Sequence, residues 1–322
     1  MIFTCGDDLD KEFQDQFEGI EIVAMNLRSP LKLFVKFFFL PFFYISIFKK
    51  VNLIKIDQMW SAWIGLWFSI AFRKKLWARM GYEQYQLQRS QKTHFFKRCL
   101  VYLLSLFTYK KASIITVTTE SIKNFVIKTF AVSPEKIYVK PNYIDTNLFK
   151  RKKPAAIVNR VLYIGRIDKV KNLFGIIEGC KSSDFGLDII GQGPLQKQVT
   201  KYANEKNINI NFLGIIPNQN LPRTIEQYRY FILASFHEGN PKSLLEAMSM
   251  ECTCIATDVP GIKGIIRDQE NGFLAQTDGL SIGKALKKAK ESCTIDIQKN
   301  ARKYVLENNS LEKLISFENE FI

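Results

Sequence analysis

The chain of 322 residues lacks the cysteine spacing of a metal site. Its six cysteines (Cys5, Cys99, Cys180, Cys252, Cys254 and Cys293) are scattered, with none of the close pairs that hold zinc. No charged and apolar leader with a small-residue cleavage site opens the sequence either, so a reducing, cytoplasmic setting is expected. Cys252 and Cys254 lie in an apolar run ending in Ile255 and Ala256 and read as buried strand residues without a role in chemistry.

An unbroken apolar stretch of bilayer length is missing too. Leu31 to Phe48 comes nearest, but Lys36 and Pro41 interrupt it, which argues against a membrane span. Two readings stay open for it. It is either a buried helix of a first domain or an interfacial segment, with its aromatics in the headgroup region and Lys32, Lys36, Lys49 and Lys50 drawn to anionic lipid.

Acidic residues are scarce: 31 against 46 lysines and arginines, a net charge of +15. Such a surface attracts phosphates, whether in nucleic acid, anionic lipid or nucleotide donors. No zinc finger, RNA-binding strand signature or helix-turn-helix pattern accompanies the cations, so no nucleic-acid partner is expected. Internal repeats and low-complexity tracts are absent as well.

What remains is an ordinary globular composition, 47% apolar, at a length that favours two domains. Short apolar runs alternate with helical patterns, the rhythm of parallel sheets wrapped by helices. The first half offers strands at Met1 to Cys5, Ile20 to Met25, Val51 to Ile56, Lys75 to Arg79, Ser113 to Thr118 and Ile137 to Lys140. The second offers Arg160 to Ile164, Leu187 to Ile190, Ile208 to Leu213, Tyr230 to Ala234 and Thr253 to Thr257. Between the halves, Lys150 to Pro154 is charged and ends in proline. Few contacts are expected to cross it, and the hinge is placed there.

Three strand ends carry candidate chemistry, because parallel sheets bind ligands at the carboxyl ends of their strands. The strand Val161 to Ile164 stops at Gly165, and Arg166 and Lys171 follow at a spacing of five. These two cations could face a diphosphate leaving group, or belong to a solvated basic loop. Leu187 to Ile190 runs into Gly191-Gln192-Gly193-Pro194, where glycine permits close backbone approach, although the further glycine of a dinucleotide fingerprint is missing.

The third strand, Tyr230 to Ser235, is followed by Phe236-His237-Glu238-Gly239-Asn240-Pro241-Lys242-Ser243-Leu244-Leu245-Glu246-Ala247-Met248. Asn240 suits an N-cap and Pro241 the first helical position, so a helix tip with free amides would point at the loop. Glu238 precedes that tip. Glu246 lies five residues past Pro241, roughly 7–8 Å along the axis at about 1.5 Å per residue. The two carboxylates would flank a diphosphate, one accepting from sugar hydroxyls and the other from a ribose. Leu244, Leu245 and Met248 are core by spacing, and His237 reads as a structural loop residue.

These motifs together resemble the GT-B retaining glycosyltransferases of family 4: strand-Gly-Arg-x4-Lys, the Gly-x-Gly-Pro turn, and Glu-Gly-x-Pro-x3-Leu-Glu-Ala-Met, with seven residues between the glutamates. The similarity continues through Ala256-Thr257-Asp258-Val259-Pro260-Gly261 and Asn271-Gly272-Phe273-Leu274, and back to Pro141-Asn142-Tyr143-Ile144-Asp145. It covers most of the chain from about Ser113 onward. The resemblance implies an α/β architecture of two Rossmann-like domains facing a central cleft. Residues 1–149 would form the acceptor side, 150–307 the donor-binding side, and 308–322 a helix crossing back.

The resemblance also implies roles. Arg166 and Lys171 would meet the diphosphate, Glu246 the ribose, and Glu238 the transferred sugar as the catalytic residue. Gly165, Gly191 and Gly193 would line the donor, as would the segment Gly239, Asn240, Pro241, Ser243 and Leu244, and Gly214 would lie near the base. The donor would be a UDP or GDP sugar, and the acceptor a glycan or lipid-linked cell-surface precursor near an anionic membrane. No cofactor and no metal are implied, and Asp8-Leu9-Asp10 reads as an acidic surface tripeptide. Retention of anomeric configuration likewise follows from the resemblance.

Two departures stand out. The chain begins at what resembles the family's second strand, and Ile56-Asp57-Gln58-Met59 stands where a histidine is usual. Asp57 is its only substitute there, and Arg79 and Tyr82 are further candidate acceptor contacts. A second function class stays in view: a non-catalytic scaffold or partner subunit that binds nucleotide without turnover. An epimerase on the same architecture is disfavoured, since no extra acids are placed around a donor ring.

Overall fold

The computed structural model describes residues 2–4, 22–24, 45–57, 62–90, 93–292 and 294–321. Most of Leu31 to Phe48 and all of Asp8 to Asp10 lie outside these residues. Within the described ones, no helix is long and apolar enough to cross a membrane.

Twelve short strands emerge among the described residues: β1 (Ile2–Thr4), β2 (Ile22–Ala24), β3 (Leu53–Asp57), β4 (Lys75–Met80), β5 (Ile114–Val117), β6 (Ile137–Val139), β7 (Ile157–Ile164), β8 (Gly186–Ile190), β9 (Ile210–Gly214), β10 (Tyr228–Leu233), β11 (Thr253–Thr257) and β12 (Phe273–Ala275). β1 pairs with β2 in parallel, and a four-stranded sheet runs β3-β4-β5-β6. The largest sheet has the order β12-β11-β10-β7-β8-β9, and every pairing in it is parallel. Parallel strands need crossovers, and helices such as Leu173–Ser183 and Gln196–Glu205 supply them. With helices over both faces the strands read as near-continuous apolar runs. Val161, Leu162, Tyr163, Leu187, Ile189, Phe231, Ile232, Cys254 and Ile255 are all buried in one core. Cys252 and Cys254 are packing residues, as their setting in the sequence suggested.

The strand order reverses at β7. From β7 the chain moves outward through β8 to β9, then returns to β10 on β7's other side and continues to β11 and β12. Such a reversal opens a crevice at the carboxyl ends of the two central strands. The register of these strands is held by a polar cluster. Arg160 Nε donates to Asp188 Oδ1 at 2.8 Å, Asn211 Nδ2 donates to the same oxygen at 2.9 Å, and the Tyr228 hydroxyl donates to Asp188 Oδ2 at 2.6 Å. Burial alone would raise the Asp188 carboxyl, but the bonds from Arg160, Tyr228 and Asn211 hold it below the usual carboxylate range.

The described strands follow the expected runs with ends shifted by a few residues. β12 was not among the expected strands. The expectation that few contacts cross Lys150 to Pro154 is not met. Arg151 donates from Nε to the Met250 carbonyl at 2.6 Å and from a terminal nitrogen to the Tyr228 carbonyl at 2.9 Å. The Lys153 amide donates to Glu226 Oε1 at 2.9 Å.

The chain divides into two compact units, one of Met1–Arg79 with Gln84–Ile115 and the other of Met80–Glu83 with Thr116–Ile322. In the second unit the helix Leu311–Asn319 begins at the Ser310 cap and sets Phe317 against Tyr138 and beneath the Lys140 ammonium, 3.8 Å from the ring centre.

Candidate functional site

The site assembles at the β7 and β10 ends, within the second unit. After β7, Gly165 turns the chain, and Asp168 caps a short helical turn by accepting from the Val170 amide at 3.0 Å. That turn aims Lys171 at the loop following β10. Its Nζ donates to Glu238 Oε1 at 2.6 Å, with both side chains largely withdrawn from solvent. Ser235, wholly buried, also donates to Glu238 Oε1 and is itself fixed where the Thr257 hydroxyl donates to its carbonyl at 2.6 Å. The Phe236 amide donates to the Val170 carbonyl at 2.9 Å and binds the two loops together. Glu238 is therefore oriented by a cation and a hydroxyl, as a charged group in a poorly hydrated place must be.

Arg166 behaves differently. Its side chain is 82% exposed and pairs with Asp168. Among the described residues no bond joins it to either glutamate. Beneath it, the Tyr163 hydroxyl donates to the Arg166 carbonyl at 2.8 Å. Burial first, and then the charges of Asp168 and Glu238, push that phenol well above its ordinary range.

The glycines of the second motif provide close approach. Gly191 has φ +133°, and a Cβ there would lie 2.0 Å from the Gly165 carbonyl oxygen. One on Gly193 would lie 2.3 Å from the Ile167 carbonyl oxygen. The Gly191 amide donates to the Gly214 carbonyl at 2.7 Å, so the ends of β7, β8 and β9 form one bonded rim.

The helix expected after Asn240 forms over Lys242–Ser249, one residue later than predicted, with Pro241 at the capping position and no side-chain cap. Asn240 is drawn elsewhere. Its Oδ1 accepts from the Asn142 amide at 2.8 Å, and its carbonyl accepts from Asn142 Nδ2 at 2.5 Å. Asn309 Nδ2 in turn donates to the Asn142 carbonyl at 2.7 Å. Tertiary bonds thus outcompete the local cap. Glu246 is 5% exposed and accepts from Asn218 Nδ2 at 3.0 Å. Burial pushes its carboxyl up from the usual range, against the opposing pull of that bond and of Lys242. Leu244 is wholly in the core, so its side chain packs and only its backbone is left for a ligand. Gly239, Pro241 and Ser243 are partly exposed beside it, and His237 is exposed.

Sequence reasoning missed Ser235, Asn218 and the Asn142 clamp. Ser235 sits three residues before Glu238, a spacing that could have flagged it. Asn218 has no local signal, because only the fold brings it to Glu246. Of the candidate acceptor residues, Asp57 and Arg79 belong to the first unit and Tyr82 to the second. Asp57 and Arg79 are register partners at the ends of β3 and β4, paired at 3.2 Å with Asp57 open to solvent. Tyr82 is exposed. The described residues contain no cluster of His, Cys, Asp or Glu arranged to hold a metal.

Residues 145–304 match the family described as glycosyl transferases group 1. The match spans just under half of the chain. The matched stretch contains Lys171, Glu238 and Glu246 together. Among curated relatives, a Campylobacter jejuni N-acetylgalactosamine-N,N'-diacetylbacillosaminyl-diphospho-undecaprenol 4-alpha-N-acetylgalactosaminyltransferase is 27% identical across 55% of this chain and 50% of its own length. An Escherichia coli UDP-Gal:alpha-D-GlcNAc-diphosphoundecaprenol alpha-1,3-galactosyltransferase is 25% identical across 60% of this chain and 55% of its own. The chain thus spans about half the length of the curated relatives it matches.

Solved structures align further. Anabaena HepE, crystallised with UDP, superposes with a TM-score of 0.81 at 15% identity, covering 99% of this chain and 90% of that one. Sucrose-phosphate synthase from Thermosynechococcus elongatus gives 0.76 at 17%, covering 93% and 82%. At such identities the likeness speaks for the fold, α/β with two parallel-sheet Rossmann-like domains of the GT-B kind. The stretch that matches the glycosyl transferase family carries the β7/β10 site.

Proposed function

We propose that the protein is a retaining, metal-independent glycosyltransferase of family 4, a hexosyltransferase (EC 2.4) that moves a sugar from a UDP or GDP sugar to a glycan or lipid-linked cell-surface precursor. The observation that carries this reading is the Lys171–Glu238 pair, 2.6 Å apart at the strand-order reversal of a glycosyl transferase domain. Relatives named for transfer to diphospho-undecaprenol-linked sugars support the acceptor class, and the UDP bound by HepE supports the donor class.

In this reading Lys171 and Arg166 meet the diphosphate, with Lys171 passing from Glu238 toward it as the donor enters. Arg166 swings in from solvent. Backbone amides from Gly239 to Ser243 complete the anion site, Glu246 accepts from the ribose, and Gly214 borders the base. Glu238 accepts from the hydroxyls of the transferred sugar. As the bond between the anomeric carbon and the phosphate oxygen breaks, its electron pair stays on the phosphate. The acceptor hydroxyl oxygen bonds to the same face of that carbon, and its proton passes to the departing phosphate oxygen. Cations and amides neutralise the growing charge. Residues 1–149 serve the acceptor, with Asp57, Arg79 and Tyr82 as contacts. Residues 150–307 serve the donor, and 308–322 return toward the first part. The enzyme works in the cytoplasm, peripheral to an anionic membrane.

Thermal-shift titration with UDP, GDP and ADP sugars tests the donor site, since a ligand well above its Kd raises Tm measurably. Transfer to lipid diphosphate-linked sugars tests the activity. Full transfer by both Lys171→Ala and Glu246→Ala would overturn the reading.

A further inference from the structure

The helix Phe95–Lys111 in the first unit is packed the wrong way round for a water-facing helix. Phe96, Leu100, Leu103 and Phe107 are 76%, 66%, 47% and 59% exposed. At about 100° per residue these four positions fall within an arc of roughly 60°, one continuous stripe of four large apolar side chains. The opposite face buries Val101, Tyr109 and two hydroxyl residues, Ser105 and Thr108. Water would reverse this assignment, and a stripe of this kind marks a surface made for something apolar.

Charge decides what that is. From Gln84 to Thr119 the sequence holds six cations (Arg89, Lys92, Lys97, Arg98, Lys110 and Lys111) and no acidic residue. Lys97, Lys110 and Lys111 are exposed along the helix. Arg89 and Arg98, with Tyr85 and Tyr102, line an open cavity of about 600 Å³ beside it. A second copy meeting this face about a two-fold axis would set like charges opposite one another, and an ordinary protein groove offers no reason for the excess of cations at both ends of the stripe. An anionic bilayer satisfies both features, accepting aromatics at headgroup depth and pairing the cations with phosphate.

We infer that the helix Phe95–Lys111 is a membrane-docking surface. It lies flat on anionic lipid, with Phe96, Leu100, Leu103 and Phe107 in the acyl boundary and Lys110 and Lys111, which flank the stripe, at headgroup phosphates. The inference deepens the peripheral-membrane part of the proposed function and is independent of the transfer chemistry.

The test is co-sedimentation of the full chain with vesicles of equal parts phosphatidylglycerol and phosphatidylcholine, or of phosphatidylcholine alone, without sugar donor or acceptor. Strong binding to the anionic vesicles at low salt is expected, with little to the neutral ones. Replacing Phe96, Leu100, Leu103 and Phe107 together by serine is expected to weaken partition about tenfold or more, with the melting curve retained because all four side chains face outward. Should the quadruple variant fold poorly, Leu100→Ser alone and Lys110→Glu with Lys111→Glu each give a smaller loss in the same direction. Wild-type protein that stays in the supernatant, or variants that bind as wild type does, would overturn the inference. So would a lipid-free dimer in sedimentation velocity that the serine variant abolishes, since the stripe would then belong to a second copy. Because no transfer is measured, a negative result here leaves the reaction untouched, and an inactive enzyme leaves this surface untouched.

Discussion

Lys171 and Glu238 are 67 positions apart in the chain, yet Lys171 Nζ stands 2.6 Å from Glu238 Oε1 at the point where the large sheet reverses its strand order. The pair holds a cation and a carboxylate at one spot, each keeping the other in place; in the proposed reading the first meets the diphosphate and the second the transferred sugar.

Breaking the pair from one side should cost more than removing it. Lys171→Ala leaves Glu238 charged and poorly hydrated with only the Ser235 hydroxyl, so about 1–3 kcal/mol of stability should be lost. Lys171→Ala combined with Glu238→Gln should recover part of it. Urea denaturation of the three proteins measures this, and a double variant weaker than the single one would show that the pair is not coupled in this way.

Glu246 should make stability fall as pH rises. Burial holds its folded-state carboxyl above the unfolded value, so the folded protein binds the proton more tightly. The cost is absent below the unfolded value and grows through the interval up to the raised one. Glu246→Gln should therefore raise Tm at neutral pH while leaving it near that of wild type in acid. Donor affinity should drop in the same variant, since a neutral amide accepts less strongly from a ribose. Paired melting curves across pH, with donor titration, read both.

Two glycines separate steric from backbone effects. A Cβ on Gly191 would meet the Gly165 carbonyl oxygen at 2.0 Å, whereas Gly214, at φ +72°, has nothing within 4 Å of its Cβ position. Gly214→Ala should cost about 1 kcal/mol through its left-handed backbone alone. Gly191→Ala should cost more than about 3 kcal/mol and displace the loop after β7. Equal losses on chemical denaturation would contradict this.

Asn142→Ala removes the side-chain donor that holds the Asn240 carbonyl and leaves the Asn142 amide bonded. Stability should drop by only about 1 kcal/mol. The loop carrying Glu238 and Gly239 should loosen, so the donor KM should rise several-fold, about as one lost hydrogen bond allows, with kcat less affected. A kcat loss without a KM change would place Asn142 in the chemistry instead.

Much of the β7/β10 site was legible in advance because its signals are local. An apolar run ending in glycine announces a strand end, and glycine, proline and the spacing of Glu238 and Glu246 announce a loop entering a helix. Lys171 and Glu238 were each named from such cues. The cap at Asn240 was misread for the opposite reason: a partner 98 positions away, Asn142, claims the side chain that local rules assign to the helix. Arg151 likewise read as part of a charged hinge with few contacts, whereas it donates to the Met250 and Tyr228 carbonyls.

By itself the sequence determined the alternation of strands and helices, the glycine turns at their ends and the acids and cations that follow them, since each depends on neighbours a few residues away. Only the tertiary structure decided that Lys171 grips Glu238, that Asn218 reaches Glu246, and that Phe96, Leu100, Leu103 and Phe107 face outward while Ser105 and Thr108 turn in. Those outcomes depend on which strands become neighbours and which helix face is covered, and pairing and burial are properties of the whole chain that no short stretch of it encodes.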